Sequence, residues 1–254
     1  MRTSDNSTPE SEQKSGLVTA DIRGEMGGEP KNVSKGNGEC DLNTVLEMYH
    51  YTNGTVLELN GFLEDAIREY QEAISLNPGE GFYHYNLGVA LLKNNEYNEA
   101  YKALNEAIHL NPDDYESRCA LGDVFCAIGR SLLDEGKCRE AVESFREAVA
   151  IDHEYPDYHT GLGQALLDVV RASRDGNNEE LLSSAISEFQ IALGIDPENK
   201  AARVNLGVAL SISRSESQRT EGMRLLSEAL IADPFNDDVR SCIDALADTS
   251  LHMA

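Results

Sequence analysis

Histidine and cysteine are the side chains of this sequence best suited to chemistry, and their spacing decides which chemistry is open to them. His50, His84 and His159 each stand three residues before an Asn-Gly or Leu-Gly pair. Imidazoles at matching places are one pattern by which a chain could hold a metal. Zinc keeps each ligand at ~2 Å, whereas successive helical units stack about 10 Å apart. One histidine per unit therefore cannot converge on one ion, and the three are expected to be packing residues of amphipathic helices. Cys40, Cys119, Cys126, Cys138 and Cys242 are odd in number and form no Cys-x-x-Cys pair, so neither a zinc site nor a thioredoxin-like centre is expected. Cys119 and Cys126 lie two helical turns apart, too far for an unstrained disulfide. Reduced thiols used for packing are the expectation. The sequence has no Gly-rich phosphate loop, no His-Glu-x-x-His, no Gly-x-Ser-x-Gly and no paired nucleophile and base. The chain is expected not to be an enzyme and to hold no cofactor and no metal.

The charge balance points to the kind of partner. Lys and Arg number 21 against 45 Asp and Glu, a formal net charge of −24 over 254 residues. Phosphate backbones need clustered positive charge, so nucleic acid is not an expected partner, and anionic membrane surfaces are disfavoured for the same reason. A basic protein partner would be steered in. The first residues, MRTSDNSTPESEQKSG, lack the apolar core of a signal peptide, and no run approaches the ~20 apolar residues of a membrane span. The expected location is cytoplasmic, with no membrane insertion.

The elements that must position any site follow from repetition. Residues 1–43 are rich in Gly, Ser, Asn, Glu and Lys and cannot bury enough apolar surface to offset their ordering entropy, so a disordered acidic and polar tail is expected. Beyond it, Gly54, Gly88 and Gly122 are spaced 34 residues apart, as are Ala66 and Ala100, Ala73 and Ala107, and Pro78 and Pro112. Leu162-Gly163 with Ala185, Phe189, Ala192 and Pro197, and then Leu206-Gly207 with Leu226, Ala229 and Pro234, keep the same order. A fixed period of this length implies stacked supersecondary units. Within a unit the apolar positions have helical spacing, as in Ala66, Ile67, Tyr70, Ala73 and Ile74. Asn60-Gly61, Asn94-Asn95, Gly136 and the run 175–178 read as turns between paired helices. Proline closes each second helix because it cannot donate the next backbone hydrogen bond.

These marks resemble the tetratricopeptide repeat family, a 34-residue helix-turn-helix with Leu-Gly in the first helix and Ala…aromatic…Ala…Pro in the second. The resemblance covers about residues 44–235 in five copies, 47–80, 81–114, 115–155, 156–199 and 200–236, and residues 237–254 read as a capping helix and tail. It implies an all-α, right-handed alpha-alpha superhelix. Gly88 and Ala100 are expected where the two helices of one unit cross closely, with Gly122 in the equivalent place. Asn53 replaces a Leu in repeat one, His153 replaces the closing Pro of repeat three, and Gly222 replaces an Ala in repeat five. Counted from the Gly of the first helix, repeats three, four and five are longer by seven, ten and three residues. Seven residues is nearly two helical turns and keeps the apolar stripe in phase. The third and fourth hairpins are therefore expected to protrude, carrying Leu132, Leu133, Val169, Val170, Leu181 and Leu182.

The family's first helices line a concave groove that holds a peptide or helix. Carried over by position, that groove comprises Tyr51 and Thr55; Phe82, Tyr85, Asn86 and Val89; Glu116 and Asp123; Gln164; and Asn205, flanked by Met48, Thr52, Cys119, Asp157, Thr160, Val204 and Val208. One subclass clamps the C-terminal carboxylate of chaperones with Lys, Arg and Asn. Here Tyr51, Thr55, Glu116 and Ala120 occupy four of those five places and only Asn86 matches, so a chaperone carboxylate clamp is not expected. The resemblance implies a non-catalytic protein–protein adaptor or scaffold whose groove takes an apolar-plus-basic segment. The alternative is a constitutive assembly subunit that meets its partners through the extended hairpins of repeats three and four.

Overall fold

A computed structural model describes residues 41–173, 178–237 and 239–244. Residues 1–40 of the tail expected over 1–43, most of the predicted 175–178 turn and the end of the predicted capping helix lie outside the described residues, while residues 42–43 of that expected tail are already helical. Among those described, ten helices run in succession: α1 (Leu42–Leu59), α2 (Leu63–Leu76), α3 (Gly81–Lys93), α4 (Tyr97–Leu110), α5 (Tyr115–Asp134), α6 (Cys138–Ile151), α7 (Pro156–Ala172), α8 (Glu179–Ile195), α9 (Lys200–Ser211) and α10 (Glu216–Ala232). Each odd-numbered helix packs most extensively on the even-numbered helix that follows it. The first helix begins at Leu42, earlier than the repeat marks indicate, because apolar residues continue back through Val45 to Leu42.

The turns are built as the sequence requires. Gly61 and Gly136 have φ of +81° and +74°, and Asn95 has φ of 62°, the left-handed conformation that ends a helix at least cost. In each case the next amide reaches back five residues: Phe62 to Leu57, Glu96 to Leu91, and Lys137 to Leu132, at 2.9, 2.9 and 2.8 Å. The second helices end at an Asn or Asp whose amide donates to an alanine four residues earlier, as Asn77 does to Ala73 and Asn111 to Ala107. A proline follows in most repeats and stops propagation.

Neighbouring first helices touch, α3 on α5, α5 on α7 and α7 on α9, whereas successive second helices make no comparable contact. The stack therefore curves with its first helices on the inner side. Its core runs in two stretches, one around Tyr70, Leu91 and Leu104 and one around Phe145, Tyr158, Leu167, Phe189 and Leu226. Val239, in the helical segment 239–244, is 1% exposed and joins the second stretch, with Cys242 and Ile243 packed against it.

Close crossings occur where small residues sit, with one correction. A Cβ on Gly88 would stand 2.5 Å from Leu104 Cγ, and one on Gly54 would stand 2.8 Å from the Tyr70 ring. In repeat three the crossing is at Gly129, where a Cβ would stand 2.7 Å from the Phe145 ring, while one on Gly122 would stand 2.8 Å from the Tyr158 hydroxyl of α7 and 3.0 Å from its ring. Gly129 lies seven residues after Gly122, on nearly the same face of the helix, and this explains the difference. The added length is wholly within α5, which has 20 residues against 13 in α3, while α6 keeps the 14 of α4. In repeat four it is shared, with 17 residues in each of α7 and α8. The apolar residues added there are not an open edge: Val169 and Leu182 are buried, and Leu132, Leu133, Val170 and Leu181 pack on the same core.

Candidate peptide-binding groove

α1, α2 and α3 bring five aromatic rings together. The Tyr51 ring lies 5.3 Å from Phe82, 5.5 Å from Tyr83 and 6.2 Å from Tyr70. Tyr70 and Tyr83 are buried. Phe82 stacks on Tyr85 at 6.3 Å with 19° between the rings, and Phe82 is 47% exposed. The pair is open to solvent at Phe82, while Tyr85 is half-buried against the core. Val89 is half-buried against the same core stretch.

Carboxylates stand beside this pair. Burial pushes the Tyr85 phenol up, and Glu116, Asp114, Glu58 and Asp123 push it further in that order, so Tyr85 sits in a negative field. Glu116 and Asp123 are exposed on α5. Asp123 already accepts the Tyr158 hydroxyl at 2.7 Å, which leaves part of its carboxylate free. Tyr158 itself is 2% exposed, and its phenol is raised by burial first and by this hydrogen bond second. Arg130 is felt by Cys126 together with Asp123 and Asp157, so the acidic field is tempered at that end. Burial pushes the Cys126 thiol up to about 11, which keeps it protonated and unreactive at neutral pH. Glu58 is spent, since it accepts the Tyr70 hydroxyl and the Lys93 ammonium, each at 2.7 Å.

The polar groove residues mostly serve their own helices. Thr55 donates to the Tyr51 carbonyl at 3.0 Å, Thr52 to that of Met48 at 2.7 Å, and Asn86 to that of Phe82 at 2.7 Å. That bond uses the Asn86 amide nitrogen and leaves its amide oxygen able to accept another. Gln164 donates to Asp168 at 2.8 Å. Asn205 is half-buried. Val208 is 4% exposed and belongs to the core. It does not line the groove, because α7, α8 and α10 all pack on α9.

Two of the three histidines have a role that their spacing concealed. His84 Nε2 lies 3.0 Å from the Pro78 carbonyl and His159 Nε2 2.9 Å from that of His153, six residues back in each case. Arg118 donates to Pro112 at 2.6 Å in the same way, and Arg203 to Pro197 and Arg240 to Pro234. A long donor at this place ties each first helix to the turn before it. The three are therefore not simply packing residues, since His50 instead meets Glu69 at 2.7 Å, as His159 meets Glu188 at 2.6 Å. The signal was a recurring nitrogen donor, but it was split between two residue types. Among the described residues no cluster of three or more His, Cys, Asp or Glu could hold a metal, and no helix is long and apolar enough to cross a membrane.

Comparison with known proteins agrees with this architecture. Residues 82–114 match the tetratricopeptide repeat model, and residues 129–169 match a second model of the same repeat. No curated protein matches the chain. The crystal structure of YrrB, described as a TPR protein with an unusual peptide-binding site, is similar at a TM-score of 0.52 and 20% identity, over 76% of this chain and 89% of that one. MamA from Desulfovibrio magneticus RS-1 is similar at 0.54 and 18%, over 75% and 97%. A further MamA structure is similar at 0.53 and 18%, over 76% and 94%. Five helix pairs, glycines at the crossings and a turn proline in most repeats agree with the matched models, and the chain is a tetratricopeptide-repeat protein.

Proposed function

We propose that the protein is a non-catalytic adaptor or scaffold that holds an apolar-plus-basic protein segment along the first helices of its first three repeats. The observation that carries this reading is the Phe82–Tyr85 stack, open to solvent at Phe82, set beside the exposed carboxylates of Glu116 and Asp123. Rigid aromatics supply large contact area for little entropy loss, and carboxylates select Lys and Arg. Of the five places where a carboxylate clamp carries Lys, Arg or Asn, four hold Tyr51, Thr55, Glu116 and Ala120, none of them a cation, which argues against a chaperone C-terminus as the ligand. Nucleic acid is disfavoured by charge, and a cytoplasmic setting suits the reading. That YrrB is described as having a peptide-binding site supports a groove function for this stack as well. The extended hairpins serve less well as the contact, since their added apolar residues are packed inside.

The test is capture of a partner from native lysate, identified by mass spectrometry, followed by binding kinetics with the purified segment. Phe82→Ala and Tyr85→Ala are each expected to weaken binding by ~1–3 kcal/mol. Parent-like affinity in both variants would overturn the groove as the site.

A further inference from the structure

Tyr49 and Val56 break a pattern that every later repeat keeps. The equivalent positions are Tyr83 and Ala90, Ser117 and Val124, Tyr158 and Ala165, and Ala202 and Ala209, and all eight are 5% exposed or less. Each pair seats its first helix against the repeat before it. Tyr49 is 61% exposed and Val56 51% exposed, and no described residue covers them. α1 thus carries two apolar faces, one on α2 and α3 and one open.

The open face has the geometry of a helix–helix seam. Leu42, Val45, Tyr49, Thr52, Val56 and Leu59 follow one another at intervals of three, four, three, four and three. At about 100° per residue they fall within an arc of roughly 100°, and a 3-4 alternation is the spacing at which two helices interlock. The intervals read the same in both directions. An antiparallel second α1 therefore sets Leu42 against Leu59, Val45 against Val56, and Tyr49 against Thr52, on both sides of a two-fold axis.

Charge and area agree with that occupant. The acidic residues within α1, Glu47 and Glu58, lie off the stripe, and Glu58 is bound by Tyr70 and Lys93. Two copies of a chain with net charge −24 can thus approach there with no acidic side chain of the helix between them. Antiparallel packing also opposes the helix dipoles favourably. With Met48 and Phe62 at its margins, the face offers seven large apolar side chains between 49% and 83% exposed. At on the order of 100 Å² apiece, this approaches the ~800 Å² per partner of a stable interface. The chain's own residues 1–40 are a poor match, because Leu17, Val18, Ile22, Met26 and Val33 are spread among six glycines. We propose that the protein forms a two-fold homodimer through antiparallel pairing of α1 with α1 of a second copy. Pairing engages Thr52 and Met48 at the edge of the groove, but Tyr51 lies on the far flank of the helix, so the Phe82–Tyr85 stack of α3 stays accessible.

Sedimentation equilibrium of the full chain, from low to high micromolar concentration, tests this. The expected mass approaches twice 27.9 kDa. Tyr49→Glu and Val56→Glu are each expected to weaken association at least ~10-fold with an unchanged helical circular dichroism spectrum. Under mild oxidation, Val45→Cys mixed with Val56→Cys should cross-link, while each alone should cross-link no more than the parent with its native thiols. A monomer at every concentration overturns the proposal, as does a dimer indifferent to both glutamates. Should only a chain lacking residues 1–40 dimerise, the tail is the natural cover and the proposal also fails.

Discussion

Glycine in this stack is defined by the ring or branch that faces it. Phe145 is fully buried between Gly129 of its own repeat and Gly161 of the next, so one side chain fixes two crossings. Gly88→Leu would drive a side chain into Leu104 and is expected to cost more than ~1–3 kcal/mol. The damage should spread to both neighbouring repeats, because solenoid stability resides in the interfaces between units. Thermal unfolding followed by circular dichroism checks this, and a near-parental melting temperature would contradict the register. Gly129→Leu should be at least as harmful, since it meets a rigid ring. His159 carries a different prediction. Its Nδ1 meets Glu188 and its Nε2 the His153 carbonyl, so an imidazolium has an acceptor for each proton. The Glu188 hydrogen bond raises its pKa, opposed by burial and aided by the carbonyl. A raised folded pKa means stabilisation that is fully present below the ordinary value of ~6.5 and lost as pH rises through the folded one. The melting-temperature advantage of the parent over His159→Gln should therefore shrink between about pH 6 and pH 9. An advantage that stays constant or grows across that range would show that the imidazolium is not the stabilising form.

Helix α5 shows what a sequence can and cannot disclose about an element. Paired helices, their turns and their closing prolines were legible because each depends on a residue type with a steric reason. Gly61, Asn95 and Gly136 adopt positive φ, and Ala100 leaves no room for a larger side chain. The register of the insertion was ambiguous because seven residues rotate a helix by nearly two whole turns, which puts Gly122 and Gly129 on the same face. A discriminating signal was present: Gly129 precedes Phe145 by sixteen residues, as Gly54 precedes Tyr70 and Gly88 precedes Leu104. The histidine contacts were hidden for another reason. The function conserved along the stack is donation to a carbonyl six residues back, and both His and Arg provide it. Whether Tyr49 and Val56 are covered is a tertiary property that periodicity alone does not contain. Packing also decides the fate of a deletion. Removing residues 129–135 takes away the Phe145 crossing together with Leu132 and Leu133, which pack on the core. The expected result is a loss of several kcal/mol and a broadened transition by circular dichroism. A deleted chain that melts like the parent would mean that Gly122 slides into the vacated crossing.

At the scale of the whole molecule, the proposed function assigns charge and groove to different steps of binding. The tail holds five Lys and Arg against eight Asp and Glu, so most of the negative charge belongs to the helical stack. On the proposed function, its field would draw a basic segment toward the surface, and the Phe82–Tyr85 stack would hold the segment after contact. Steering is screened beyond ~8 Å at physiological ionic strength, while apolar contact is not. Raising salt should therefore slow association more than it speeds dissociation. Glu116→Gln removes one exposed charge beside Tyr85 and should act mainly on the association rate. Tyr85→Ala removes packed area and should act mainly on dissociation, by ~1–3 kcal/mol. Surface-based kinetics at two salt concentrations separate the two effects in one set of measurements. If Glu116→Gln changes dissociation and Tyr85→Ala changes neither rate, the carboxylates are direct contacts and the aromatic stack is merely part of the core. If neither variant has an effect while loss of the α5 extension abolishes binding in a chain that remains folded, the partner is held at the hairpin edge.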